Sequence, residues 1–363
     1  MLPMAVLIPR TKRFLSYMLF QHPPQFEKPT ALQFPMNDIC NSKCRMCNIW
    51  SNKNDTSISP SELRILLRDE AFSELDTVGL SGGEPTLRED LDQLCLVLCE
   101  ELPKLTSISM ISNGLDYAQC LEMTKKCADV CNDHGVDFHL MYSLDGYRHF
   151  HDEIRRSPGN FETTTRLYSY FKNYSNVTTV SFACTISLRN VDGLYELLFY
   201  CIRLNAKIKF RLAIEHKRLY NENIKNAFSL NRLKCLQVAK FLEAVKNGYE
   251  NGQGQKNIYD NLINFLRANT KRSIPCLWQH RALTLFNDGS VGFCAVKSEK
   301  IAKYNKAISI WQQCLKSKEH LDDIIKNSCE TCMHDYTGIP NIAELIERLI
   351  AVSYTHLTLP TKA

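Results

Sequence analysis

The sequence predicts an α/β fold: a partial (β/α)6 barrel followed by a small C-terminal unit of β-hairpin and helix. Three observations carry this. Apolar β-like runs recur near residues 31–36, 76–81, 105–112, 136–143, 179–187 and 206–214. Helix-like stretches separate them, and the strands show two different faces. Strands alternating with helices imply a parallel sheet, and six such repeats suit an open or partial barrel.

Taken in order, residues 1–30 are Pro-interrupted and without period, which reads as an N-terminal arm. The core is expected over 31–245, its helices including Ser59–Asp69, Asp90–Glu101, Ala118–Asn132, Phe161–Asn173 and Val191–Leu204. One strand face is apolar throughout, as in Val78, Leu80, Ile108, Met110, Leu140 and Tyr142. The other is small or polar: Gly79 and Ser81, Ser107 and Ser109, His139 and Ser143, Thr185 and Ser187, Lys209 and Arg211. A closed barrel fills its interior with Val, Ile and Leu, and a polar lining is costly unless a ligand or water satisfies it. A hollow built around a large polar ligand follows. Residues 246–256 (KNGYENGQGQK) turn polar and Gly-rich and read as a linker. Residues 257–352 form the C-terminal unit, opening with a helix-like run over 257–270. Residues 353–363 (SYTHLTLPTKA) break the preceding pattern, resemble a translated adaptor sequence, and are set apart from the fold.

Composition excludes several classes. The 363 residues, 44% hydrophobic and 23% charged, are those of a globular chain. No apolar run approaches the roughly 20 residues of a membrane span, and Leu2–Ile8 is too short for a signal peptide. A cytoplasmic protein with no membrane partner is expected. The net charge of +5 comes without a Lys/Arg block, so no nucleic-acid partner is expected either. Sixteen cysteines in a reducing compartment point to metal ligation rather than disulfides. Nine of them, Cys95, Cys99, Cys120, Cys127, Cys131, Cys184, Cys201, Cys235 and Cys314, sit in helix-like or strand-like runs and read as small buried hydrophobes.

The other seven form two constellations. Cys40-Asn-Ser-Lys-Cys44-Arg-Met-Cys47 follows the first strand. Three thiolates can bind three irons of a [4Fe–4S] cube and leave the fourth iron without a protein ligand, and an open position marks a catalytic metal site. A zinc site lacking its fourth ligand is the bland alternative. Strand ends then carry Ser81-Gly82-Gly83-Glu84-Pro85, Ser112-Asn113-Gly114, Ser143-Leu144-Asp145-Gly146 with His151-Asp152-Glu153-Ile154-Arg155, and Thr185-Ile186-Ser187 with Asn190. Each alone is a turn motif.

Together, and in this order, they resemble the radical S-adenosylmethionine (SAM) superfamily over about residues 30–215. The resemblance implies that SAM chelates the open iron and is cleaved to methionine and a 5′-deoxyadenosyl radical, which abstracts hydrogen from a substrate. It implies SAM contacts at Gly82, Gly83, Glu84, Pro85, Asn113, Ser143, Arg155, Thr185 and Ser187. Glu84 would accept a charge-assisted hydrogen bond from SAM's ammonium, and the glycines would let backbone approach a ligand. Met46 departs from the family, where that position is usually aromatic.

The second constellation is Cys276, Cys294, and Cys329-Glu-Thr-Cys332, with LTLFNDGSVGFC reading as a hairpin turning at Asp288-Gly289. Four thiolates can saturate a [4Fe–4S] cluster or zinc. The arrangement is similar to the SPASM and twitch extensions of radical SAM enzymes, implying one auxiliary [4Fe–4S] cluster. No cysteine follows Cys332, so a second auxiliary cluster is not expected.

Three functions compete. The resemblance to SPASM-type enzymes favours modification of a peptide or protein. The alternative is a dehydrogenase or epimerase of a small molecule such as a sugar or nucleotide, and the third is a non-enzymatic iron–sulfur or zinc protein. For either enzyme a flavodoxin- or ferredoxin-type electron donor is expected. Arg211 and Glu215, at alternate positions of the sixth strand with Lys209, are the candidate catalytic residues facing substrate.

Overall fold

The computed structural model describes residues 26–52, 56–221 and 231–336. The first 25 residues of the expected arm, the end of the C-terminal unit from 337, and the tail 353–363 lie outside the described residues.

Six strands appear where the apolar runs place them: β1 (Ala31–Pro35), β2 (Thr77–Ser81), β3 (Ser107–Ser112), β4 (Asp137–Ser143), β5 (Thr179–Ile186) and β6 (Ile208–Leu212). Neighbours pair in parallel along the chain. Registers align Gln33, Gly79, Ser109 and His139 across four strands, so side chains of one character stack on one face. Val78, Leu80, Ile108, Met110, Leu140, Phe182 and Phe210 are buried in the main core.

The helices return outside the sheet. They are α1 (Pro60–Leu67), α2 (Leu91–Glu101), α3 (Tyr117–Asp133), α4 (His149–Arg155), α5 (Asn160–Phe171) and α6 (Leu194–Arg203). Local chemistry sets their starts. The Ser59 hydroxyl accepts from the Glu62 amide while the Glu62 carboxylate accepts from the Ser59 amide, a capping box with Pro60 in the first turn. Asp116 caps α3 through the Gln119 amide.

The sheet does not close. Its order is β6-β5-β4-β3-β2-β1-β7-β8-β9. The C-terminal hairpin, β7 (Ala282–Leu285) and β8 (Ser290–Gly292), is part of this same sheet, with β7 parallel to β1 at Ala31↔Ala282, Leu32↔Leu283 and Gln33↔Thr284. A short β9 (Ala302–Lys303) follows. The hairpin turns at Gly289, whose φ of +78° favours glycine. The sequence places this hairpin in a unit after the core; in the structure it extends the core sheet, because its fully buried strand finds its partner at the free edge of β1.

The stretch 246–256 is mostly helix. It joins α7 (Arg232–Gly248) to α8 (Gln253–Ala268), and these pack on each other. Only the turn between them is non-helical, so its polar composition marks a helix–helix connection. Two further helices, α9 (Ile310–Lys316) and α10 (Lys318–Ser328), lead to Cys329. Among the described residues no helix is long and apolar enough to cross a membrane.

Candidate functional site: a cavity at the strand ends

The C-terminal ends of the strands surround a cavity of about 410 Å³. Its floor is the small or polar strand face: Gln33, Gly79, Ser81, Ser109, Met141 and Thr185 line it. Cys40, Cys44 and Cys47 enter from the loop after β1, with Met46 beside them.

That loop is held from several sides. The Gly83 amide donates to the Asn37 carbonyl (2.9 Å) and the Glu84 amide to the Ile39 carbonyl (2.8 Å). The Arg45 amide donates to the Ile154 carbonyl (3.0 Å), the Ser42 hydroxyl to the Arg155 carbonyl (3.2 Å), and Asn221 Nδ2 to the Met46 carbonyl (3.0 Å). The glycines have a tighter task than approach to a ligand. A Cβ at Gly83 would lie 2.0 Å from the Ile39 carbonyl oxygen, and one at Gly82 would lie 2.4 Å from Asn37 Oδ1. Glycine is needed so that the β2 turn can nest against the cysteine loop. Pro85 is buried and opens a short 3-10 turn, and it does not line the cavity.

Burial pushes the Cys40 thiol up to about 12 and the Cys47 thiol up to about 11; neighbouring thiolates add to both. Donors nonetheless already point at sulfur: the Ser42 amide and Asn113 Nδ2 at Cys40, 3.5 and 3.7 Å away, and Ser42 Oγ lies 3.1 Å from Cys44. Buried thiols that repel one another as thiolates and open on a cavity fit a cationic iron–sulfur cluster, whose charge reverses the thiol preference. Among the described residues no three His, Cys, Asp or Glu side chains converge on one ion. Three corners of a cube stand further apart than ligands of one ion, so this spacing does not conflict with a cluster.

Glu84 is buried and lines the same cavity. Its Oε1 accepts from the Thr86 amide (3.1 Å), Thr86 Oγ1 (2.7 Å) and Ser112 Oγ (2.8 Å), and its Oε2 from the Asn113 amide (2.7 Å). All four donors are neutral, and burial raises the carboxyl above its ordinary value. Among the described residues Glu84 has no salt bridge. A ligand ammonium would complete it.

Arg155 is not free to bind a carboxylate at will. Its Nε and Nη2 both donate to Asp145 Oδ2 at 2.7 Å, and Asp145 Oδ1 accepts from the Thr185 amide (2.7 Å). The guanidinium still lines the cavity and acts electrostatically on Cys40 and Cys44. His151 supports this arrangement: its Nδ1 accepts from the Asp145 amide (3.0 Å) and its Nε2 meets Asn160 Oδ1 (3.1 Å). Asn113, Ser143 and Thr185 line the cavity as the sequence places them. Ser187 does not: its amide donates to Asn190 Oδ1 and its hydroxyl accepts from the Arg189 amide, which makes it a turn residue.

Arg211 and Glu215 part company. Arg211 lines the cavity, but β6 ends at Leu212, so its alternation does not reach Glu215. Glu215 lines a neighbouring cavity and faces Lys297 at 4.0 Å. Lys209 is exposed. The partner of Arg211 is Asp335, 3.5 Å from Nε.

Sequence reasoning missed several cavity residues. Arg218 pairs with Asp38 (3.2 Å) and donates to the Gly82 carbonyl (3.1 Å). His216 is buried, and among the described residues its Nδ1 has no hydrogen-bond partner; burial, Arg218 and His334 hold its imidazole well below the ordinary value. His334, Asp335 and Tyr336 also line the cavity. Their one signal was polar chain directly after a C-x2-C turn.

Cys276, Cys294, Cys329 and Cys332 come together at a second, smaller cavity of about 30 Å³. Burial raises the Cys276 thiol to about 12 and also raises Cys294 and Cys329, with electrostatic coupling among all four. Arg272 donates to the carbonyls of Cys332 (3.0 Å), His334 (2.7 Å) and Tyr336. Tyr336 stacks on Trp278 at 3.7 Å. Since His334 and Tyr336 line both cavities, the segment after Cys332 is a wall shared between them.

Comparison with known proteins bears on the family and the fold. The family profile described as the radical SAM superfamily matches residues 34–200. The mitochondrial GTP 3′,8-cyclase of Arabidopsis thaliana is 28% identical over 218 residues, 59% of this chain and 46% of that protein. This chain spans less than half the length of the curated relatives it matches. Among solved structures, anSMEcpe with bound AdoMet and Cp18Cys peptide superposes with a TM-score of 0.57 at 16% identity, covering 92% of this chain and 100% of that one. SuiB of Streptococcus suis bound to S-adenosylmethionine superposes with a TM-score of 0.55 at 13% identity, covering 89% and 71%. At those identities the likeness is one of fold.

Proposed function

This chain belongs to the radical SAM superfamily of enzymes, and we propose that it cleaves SAM reductively beside Cys40, Cys44 and Cys47 and abstracts hydrogen from a small polar molecule. When bound, a [4Fe–4S] cluster with one iron free of protein ligands supplies the electron for that cleavage. The chain's own residues do the rest. Glu84 accepts from the SAM ammonium through Oε2, its orientation fixed by Thr86, Ser112 and Asn113. Arg155, anchored by Asp145, places positive charge beside the thiolates. Ser143 and Thr185 line the same cavity and are proposed as further SAM contacts.

The observation that carries the substrate reading is the charged lining of this one cavity. Arg211, His216 and Asp335 line it together with the cysteines and offer a cation, an imidazole nitrogen without a partner among the described residues, and an anion. The sequence relative named for a nucleotide reaction supports the same class. Modification of a peptide is the second reading, favoured by a fold neighbour solved with a peptide.

The four remaining cysteines are proposed to hold an auxiliary [4Fe–4S] cluster. Their cavity of about 30 Å³ is smaller than a four-iron cluster needs, so zinc stays the second reading there. A flavodoxin- or ferredoxin-type donor and a cytoplasmic location complete the proposal, the latter resting on cysteine usage.

The test is isotope transfer. Reconstituted protein is given SAM, reductant and either deuterated nucleotides and sugars or deuterated peptides. Deuterium in 5′-deoxyadenosine from the small-molecule set supports the proposal, and deuterium from peptides alone overturns its substrate class.

A further inference from the structure

Four thiols outside both cysteine centres stand in one line. α2 carries Cys95 and Cys99, and α3 carries Cys127 and Cys131, each pair four residues apart and so on one helix face. Both helices return from adjacent parallel strands, run parallel, and pack side by side. The pairs face each other across the packed helices: Cys95 interacts electrostatically with Cys127 and Cys131, and Cys131 with Cys99. The result is a zigzag, Cys127–Cys95–Cys131–Cys99. Its first three members are fully buried, while Cys99 in the last turn of α2 is partly exposed. Apolar packing does not require sulfur at four successive rungs. A single-ion site is not formed, since among the described residues no three such ligands converge.

We propose that Cys99 and Cys131 form a reversible disulfide staple between α2 and α3 under oxidising stress, with a peroxide as the oxidant. The peroxide O–O bond breaks as the Cys99 thiol becomes a sulfenic acid and one water leaves. The Cys131 thiol then attacks that sulfur, the S–S bond forms, and a second water leaves. Two thiols thereby give two electrons and two protons to one peroxide. Cys95, next to Cys131, can displace Cys99 by exchange and carry the disulfide inward.

The neighbouring Cys131 and burial raise the Cys99 thiol, and the neighbouring Cys95 and burial raise Cys131. The thiolate is the reacting form, so the staple should form faster as pH rises. Its position has a use. The turn before α2 carries Glu84, and the turn before α3 carries Ser112 and Asn113, which bind that carboxylate. The staple joins the far ends of the two βα units that share it.

The experiment exposes the reconstituted, full-length protein to hydrogen peroxide, alkylates the remaining thiols, and digests with trypsin. Cys95 and Cys99 fall in the peptide 89–104, and Cys127 and Cys131 in 127–148. The expected result is a disulfide-linked pair of these peptides in wild type and in Cys127→Ser, formed faster at higher pH and reversed by dithiothreitol. The pair should be lost in Cys99→Ser and Cys131→Ser. Iron content before exposure shows that each variant is folded, and Cys99→Ala serves as a second variant at the exposed rung. Absence of the linked pair in wild type, or its undiminished formation in Cys99→Ser, overturns the proposal.

Discussion

Arg211 on β6 meets Asp335, three residues beyond the last cysteine, with Nε 3.5 Å from Oδ2. Burial works against the Asp335 charge, but Arg211 and His334 outweigh it and hold the carboxyl well below its ordinary range. The contact is longer than a hydrogen bond, and among the described residues Arg211 Nε has no hydrogen-bond partner, while its Nη2 donates to Met141 Sδ at 3.5 Å. The pair thus joins the sheet to the C-terminal segment at the cavity that both residues line.

A substrate role for Arg211 predicts a separation of two activities. Arg211→Ala should retain SAM cleavage in the absence of substrate and lose substrate turnover. Production of 5′-deoxyadenosine with and without substrate measures both. Loss of the two together would assign Arg211 to SAM or to the fold.

Glu84 is expected to show the reverse pattern. Glu84→Gln should keep the iron of the cluster and weaken SAM binding by roughly tenfold to a hundredfold, the cost of one charge-assisted hydrogen bond. The amide must also face one of the neutral donors that the carboxylate now satisfies, so a modest loss of stability should accompany it. SAM titration by equilibrium dialysis checks this, and unchanged affinity would leave Glu84 as a turn residue only.

His151 predicts a pH dependence of stability. Burial, with Arg155 adding to it, lowers its imidazole from 6.5 to about 4. The unfolded chain therefore takes up the proton first as pH falls. Its contribution is complete above about 6.5 and is lost as pH drops toward about 4, an effect on the order of 3 kcal/mol for a shift of that size. The urea midpoint of wild type should fall across this window more steeply than that of His151→Gln. Parallel curves would refute the assignment.

Much of this was legible in the sequence, for identifiable reasons. Parallel strands buried on both faces keep a period of two, so Val78–Leu80 and Ile108–Met110 declare the core while Gly79 and Ser109 declare the cavity. The cysteine spacing and the strand-end turns are local and survive without knowledge of packing. Partners distant in sequence were not legible. Nothing near Ala282 says that it pairs with Ala31, and nothing near Gly83 says that Ile39 leaves no room for a Cβ. Glu215 was misplaced because a strand's end is set by its neighbours; Arg218, His216 and Asp335 come from segments with no motif of their own.

The central claim is that Cys40, Cys44 and Cys47 hold the cluster at which SAM is cleaved. Iron and sulfide analysis of anaerobically reconstituted protein, paired with an assay of 5′-deoxyadenosine, tests it most directly. With two four-iron clusters, wild type should carry about eight irons per chain. Replacing the three cysteines by alanine should halve the iron and abolish SAM cleavage. A triple variant with unchanged iron, or one that still cleaves SAM, would contradict the account.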